Sequence, residues 1–329
     1  MSGPLGAIQV VELSTGLAGG YATKLFADAG ADVVKVEPPG GDPLRQWSAS
    51  GAELDGHDGA LFRYLASSKR SVVGSPGDPV VEQLMAGADL VVVNALPAGI
   101  LEAPKRVVLS ITPFGAANDW TDRPATEFTI QAESGSLSQR GRPDGPPVQA
   151  GGRIAEWGAG VFGAAAALAA TQHARRGGPG THIDVSMAEV MCLCTNLFVD
   201  LMWSLLGRPP MPQPARSVEF PSVEPTADGF VGFNTNAQQM FEDFLVMVER
   251  PDLANIPGLR SDAARRPEIE ASVRAWTTTR TTEEIVELAS LFRIPVAPIG
   301  NGANLPTHPH LTARDVFTCL LYTSDAADE

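Results

Sequence analysis

Carboxylates and cations placed after apolar runs are the groups in this 329-residue sequence best suited to chemistry. Lys35-Val-Glu37-Pro-Pro-Gly-Gly-Asp42-Pro-Leu-Arg45 alternates charges at the end of an apolar segment. Ligands of open α/β sheets bind at the carboxyl ends of the strands, so this stretch is placed to meet one. Ser68-Lys69-Arg70-Ser71 is a second basic group, just ahead of a weak strand. Taken alone, either group reads as solvated surface before it reads as a phosphate clamp. Glu156, in GGRIAEWGAG, falls in the first turn of a helix of small residues. There the helix dipole favours a negative charge, and close packing can desolvate a carboxylate. By itself it reads as a helix-start acid.

Other chemistries find less support. Gly158 to Gly163, GAGVFG, matches the dinucleotide fingerprint, with Asp184 beyond it. A fingerprint must follow a strand and open a helix, however, and RIAEW is no strand, so these glycines read as close-packing positions. The five histidines have no zincin spacing; His308-Pro-His310 is the nearest cluster, and it lacks a third ligand, so no metal is expected. There is no G-x-S-x-G elbow. Cys192, Cys194 and Cys319 are too few and too irregularly spaced for a disulfide framework. The net charge of −14 argues against non-specific nucleic-acid binding, which needs a basic face. No apolar run approaches a membrane span and no signal pattern opens the chain, so a soluble cytoplasmic protein is expected.

The elements that must hold these residues follow from periodicity. AIQVVELS, LAGGYATKLFADAG and ADVVKVE read as strand, helix and strand, a βαβ unit that implies a parallel sheet. PVVEQLMAGA continues as helix, and DLVVVN and RVVLSIT as strands whose unbroken apolar character implies helices on both faces. From 153 to 206 the chain is helical, interrupted by a turn and strand at RRGGPGTHIDVSM. Six prolines in 209–225 predict a linker between a large domain (1–208) and a small α/β domain (226–318). That second domain comprises strand DGFVGFN, helix AQQMFEDFLVMVE, a helix opened by Thr281 and Glu284 at capping-box spacing, and strand PVAPI. The segment CLLYTSDAADE (319–329) can be encoded by one frame of a sequencing-library adaptor, so the native chain is expected to continue differently past Thr318.

In order and spacing, the sequence resembles the family III CoA-transferases, which include formyl-CoA transferase, carnitine CoA-transferase and the α-methylacyl-CoA racemases. The stretches that carry the resemblance are 10–47, SSKRSV (67–72), DLVVVN (89–94), EFTIQAESG (127–135), GRIAEWGAG (152–160), GPGTHIDVSMAEV (178–190), TADGFVGF (226–233) and IPVAPI (294–299). The resemblance implies an α/β fold with a large Rossmann-like parallel-sheet domain and a smaller α/β domain, assembled as an interlocked homodimer. It implies an acyl-CoA donor and a carboxylic acid acceptor as substrates, with no permanently bound cofactor. The family's nucleophile is an aspartate where this chain has Glu156. The same carry-over makes Lys35, Arg45, Lys69, Arg70 and Asn94 residues that meet coenzyme A, and Leu17, Ala18 and Gly19 the loop facing the thioester. Glu127 falls where the family has an acid near the active site, with a plain surface acid as the alternative. Trp157, Phe162 and Trp203 line an acyl pocket or belong to the core.

Besides Glu156, other positions depart from the family. Ala18-Gly19-Gly20 replaces A-G-P, Ala95-Leu96 follows Asn94 where basic or aromatic residues are usual, and Thr126 stands where a tyrosine or histidine is expected. Without that histidine an isomerase or racemase lacks its second base. No glycine-rich loop like that of formyl-CoA transferase occupies 216–228. The expectation is CoA transfer through a covalent glutamyl intermediate, the alternatives being a non-catalytic CoA-binding member, half of a tandem transferase, or an acyl-CoA isomerase.

Overall fold

Strand β1 (Gln9–Glu12), helix α1 (Leu17–Asp28) and strand β2 (Asp32–Glu37) form the βαβ unit that the apolar pattern predicts, with the two strands parallel. The computed structural model describes residues 3–317 apart from 98, 142–144, 197–220, 236 and 260–263. Trp203, most of the proline-rich tract and residues 318–329 lie outside the described residues.

The chain divides into two units, between Arg216 and Ser217. In the first, α2 (Ala60–Ala66), β3 (Arg70–Val73), α3 (Pro79–Gly87), β4 (Leu90–Val93) and β5 (Val107–Thr112) follow β2. Next come α4 (Glu127–Glu133), α5 (Ile154–Arg175), β6 (His182–Ser186) and α6 (Met187–Met191). The six strands form one parallel sheet in the order β3-β2-β1-β4-β5-β6. This is the doubly wound order, whose switch point lies between β1 and β4.

The strands alternate between two cores, because successive side chains leave a strand on opposite faces. Val10, Leu90, Val92, Leu109 and Ile111 join the cluster beneath α1 and α5, while Val11, Val91, Val93 and Val108 join the one beneath α3. By length and composition α5 is apolar enough to cross a membrane, although no such run was expected from the sequence. It packs instead in the sheet's core, with Ala155, Ala159, Gly160, Gly163, Ala164 and Ala167 buried. The GAGVFG glycines thus lie inside a helix, and Gly160 and Gly163 hold it close to its neighbours: a Cβ on Gly163 would meet Leu109 and Ile111 at 3.1 Å.

The second unit holds an antiparallel sheet of β7 (Val223–Pro225), β8 (Phe230–Phe233) and β9 (Val296–Pro298). Its main helices are α7 (Gln238–Met247), α8 (Arg266–Thr277) and α9 (Thr282–Leu291); a single turn, α10 (Pro309–Ala313), follows β9. Val231, Phe241, Phe244, Ile269, Trp276 and Ile285 form its core. The Thr281 hydroxyl accepts the Glu284 N–H and the Glu284 side chain accepts the Thr281 N–H, the predicted capping box. Strand β7 falls in the stretch read as linker. It lies at a sheet edge with Pro225 as its last residue, where a missing N–H disrupts little.

Candidate active site

Helices α1 and α5 cross where both carry small residues. A Cβ on Gly160 would lie 2.8 Å from the Ala18 carbonyl oxygen, so only glycine admits this approach. The crossing sets the first turn of α5 beside the first turn of α1. As a result the Leu17 backbone N–H faces the Glu156 carboxylate and favours its charged form. The first N–H groups of a helix have no partner within it, and they carry its positive dipole end.

Arg153 holds the same carboxylate from the other side. Its Nε donates to Glu156 Oε1 at 2.8 Å, and its Nη2 lies 2.6 Å from the same oxygen. Arg153 has φ 56° and ψ 46°, the left-handed region that a non-glycine residue seldom adopts, and it follows Gly152, whose φ is 83°. Such backbone persists where the surroundings fix it, and it concentrates at functional sites. Burial pushes the Glu156 carboxyl above its ordinary value. Arg153 and the Leu17 N–H pull it down, and the charge of Glu127 adds to the rise.

Glu127 opens α4 behind this turn. Its Oε1 accepts from Gln131 Nε2 at 2.7 Å and from the Ala155 backbone N–H at 3.0 Å, so it caps the start of α5. Its Oε2 is buried and, among the described residues, has no hydrogen-bond partner. Thr126 is the N-cap of α4, its hydroxyl accepting the Thr129 N–H.

The switch-point loop is fixed by buried charges. Glu12, fully buried at the end of β1, accepts from Lys35 Nζ at 2.7 Å and Lys69 Nζ at 2.9 Å. Lys35 also reaches Asp42 at 2.8 Å and the Ser14 carbonyl at 3.0 Å. Asp42 in turn accepts the Gly16 N–H just ahead of α1. Burial alone would push the Glu12 carboxyl up, but Lys69 and Lys35 hold it at about 2. Burial opposes the charge of Lys35, yet Glu12 and Asp42 overcome it and raise its pKa. Burial prevails at Lys69 and lowers it.

The cations read from the sequence therefore divide. Lys35 and Lys69 lie in a carboxylate network under α1, with side chains 4% and 2% exposed, rather than on an open surface. Arg45 grips Glu37 through Nε and Nη2 at 2.6 and 2.8 Å and Asp58 at 2.7 Å, with its side chain one-third exposed. Asn94 donates to the Thr15 carbonyl at 3.2 Å, across the switch point. Arg70 pairs with Asp32, the first residue of β2, so its side chain points to the amino edge of the sheet, away from Glu156. Trp157 meets Tyr21 edge-on with centroids 4.5 Å apart and packs on the Leu17–Phe62 cluster, while Phe162 is exposed. Arg153 is the residue that sequence reasoning passed over. Its signal was an arginine three residues before Glu156, behind two glycines.

A family model described as CoA-transferase family III matches residues 5–324. A succinate–glutarate CoA-transferase from Agrobacterium fabrum is 30% identical, across 94% of this chain and 84% of its own. A succinyl-CoA:mesaconate CoA-transferase from Haloarcula hispanica is 33% identical, across 96% and 85%. The crystal structure of a CAIB/BAIF family protein from Brucella suis superposes with a TM-score of 0.81 at 25% identity, covering 95% of this chain and 88% of that one.

Proposed function

The chain belongs to CoA-transferase family III, and from that premise we propose that it moves CoA between short dicarboxylic acids with Glu156 as covalent nucleophile. The observation that carries the reading is the seating of Glu156, desolvated, held by Arg153 and facing the Leu17 N–H at the start of α1. Desolvation strengthens a carboxylate as a nucleophile, and amides at a helix start can stabilise the oxygen of a tetrahedral intermediate.

The steps balance without a permanent cofactor. A Glu156 oxygen attacks the donor thioester carbonyl, the C–S bond breaks, and CoA leaves as thiolate from a mixed anhydride. The thiolate attacks the Glu156 carbonyl of that anhydride, releasing the donor acid and leaving a Glu156–CoA thioester. An acceptor carboxylate then repeats the steps in reverse and leaves as its CoA thioester. Glutamate has the same functional group as aspartate with one more methylene, so the same chemistry is open to it.

The substrate class rests on the relatives, one named for succinate and glutarate and another for succinyl-CoA and mesaconate. Arg45 and Asn94, at the carboxyl edge of the sheet, are the residues proposed to face the coenzyme. Lys35 and Lys69 act by holding the 14–16 loop. Two copies in an interlocked dimer and a cytoplasmic location belong to the same proposal. With Thr126 committed to its helix cap, no second base stands there for an isomerase. The test is CoA transfer from succinyl-CoA to glutarate or mesaconate by the purified full chain. Ping-pong kinetics, abolished in Glu156→Ala, support the reading; absence of transfer with a panel of acyl-CoA donors and acids refutes it.

A further inference from the structure

Resting on that reading, we infer that Arg153 exchanges partners during the reaction: it pairs with Glu156 in the free enzyme and with the carboxylate of the departing or arriving acid once Glu156 is a thioester. Both contacting nitrogens of Arg153 lie on a single oxygen of Glu156, at 2.8 and 2.6 Å. Among the described residues, no other carboxylate lies within ion-pair distance of it. The guanidinium stays charged at any pH the protein survives. Conversion of Glu156 to an uncharged thioester removes its counter-ion while the charge remains.

Geometry keeps the guanidinium in place for the exchange. The left-handed backbone at Arg153 folds the side chain back over the first turn of α5, and its guanidinium carbon lies 5.9 Å from the centre of the Trp47 ring. The side chain is 33% exposed against 13% for Glu156, so a solute reaches Arg153 from the open side. An acid bound there presents a carboxylate oxygen next to the Glu156 carbonyl carbon. In the second half-reaction that oxygen attacks the carbon and the C–S bond breaks to release CoA thiolate. The thiolate then attacks the acyl carbonyl of the anhydride, and the bond to Glu156 oxygen breaks. Glu156 is again a carboxylate, and Arg153 recovers it. Arg153 is then the residue that selects a carboxylate as second substrate.

Wild type, Arg153→Gln and Arg153→Lys would be loaded with succinyl-CoA. Each isolated thioester would then be discharged with glutarate or, separately, with hydroxylamine, a neutral nucleophile that needs no cation. In Arg153→Gln, discharge by glutarate below saturation should slow about 10- to 100-fold, the worth of a hydrogen bond to a charged group. Its KM for the acid should rise, discharge by hydroxylamine should be unchanged, and Arg153→Lys should recover part of the loss. Equal slowing of both discharges, or none of either, overturns the inference. If Arg153→Gln does not load, Arg153→Lys carries the comparison. If neither variant loads while wild type does, Arg153 serves Glu156 alone and partner exchange is refuted. If wild type itself forms no thioester with any donor, the transferase reading has failed, and the inference with it.

Discussion

Replacing Glu12 with glutamine tests the claim that buried charge holds the switch-point loop. The substitution keeps the shape of the side chain and removes its charge, leaving Lys69 without a carboxylate and Lys35 with Asp42 alone. A carboxyl held at about 2 rather than 4.5 contributes about 3 kcal/mol at neutral pH. Breaking one side of a buried ion pair costs about 3–5 kcal/mol, in agreement. The folded value lies below the unfolded one, so this stability is full above about pH 4.5 and is lost as pH falls towards 2. Glu12→Gln should therefore lose about 3 kcal/mol at pH 7 and lose less than wild type on acidification. Hydrogen exchange of β1 and β2 amides in denaturant reads this unit separately from the second one. Adding Lys69→Met should recover part of the loss, because it removes the stranded cation. A cost below about 1 kcal/mol, or additive effects in the double variant, would refute the reasoning.

The remaining expectations concern the site. Glu156→Asp withdraws the carboxylate by one methylene from Arg153 and the Leu17 N–H, and should lower kcat on the order of a hundredfold with the fold intact by circular dichroism. Because burial raises the Glu156 pKa and only the ionised form attacks, the acid limb of the kcat/KM profile should lie above 4.5. Arg153→Gln should move that limb to higher pH, since Arg153 favours the charged form. Gly160→Ala places a Cβ 2.8 Å from the Ala18 carbonyl oxygen and should cost about 1–3 kcal/mol by thermal unfolding. It should also reduce transfer, by parting Leu17 from Glu156.

The first βαβ unit was legible because Val10, Val11, Val33, Val34 and Val36 lie in apolar runs that only a covered parallel sheet can use. The position of Glu156 in a first turn was legible for the same reason: a long small-residue helix begins there. Lys35 and Lys69 were misplaced because strand periodicity separates two faces but does not say that both are covered. Their partner Glu12 is 23 residues from the first and 57 from the second. Arg153 was missed because its role depends on a left-handed backbone that a non-glycine residue seldom adopts. Strand β7 was hidden by the prolines around it, since propensity rules read them as linker while a sheet edge tolerates them.

In the proposed reaction Glu156 carries CoA covalently. Its most direct test is mass spectrometry of the peptide holding Glu156 after incubation with succinyl-CoA and trapping with hydroxylamine or borohydride, with Glu156→Ala as control. The expected result is a donor-dependent modification at Glu156 that the control lacks. CoA binding without modification of Glu156, under conditions in which CoA is transferred to glutarate, would contradict it.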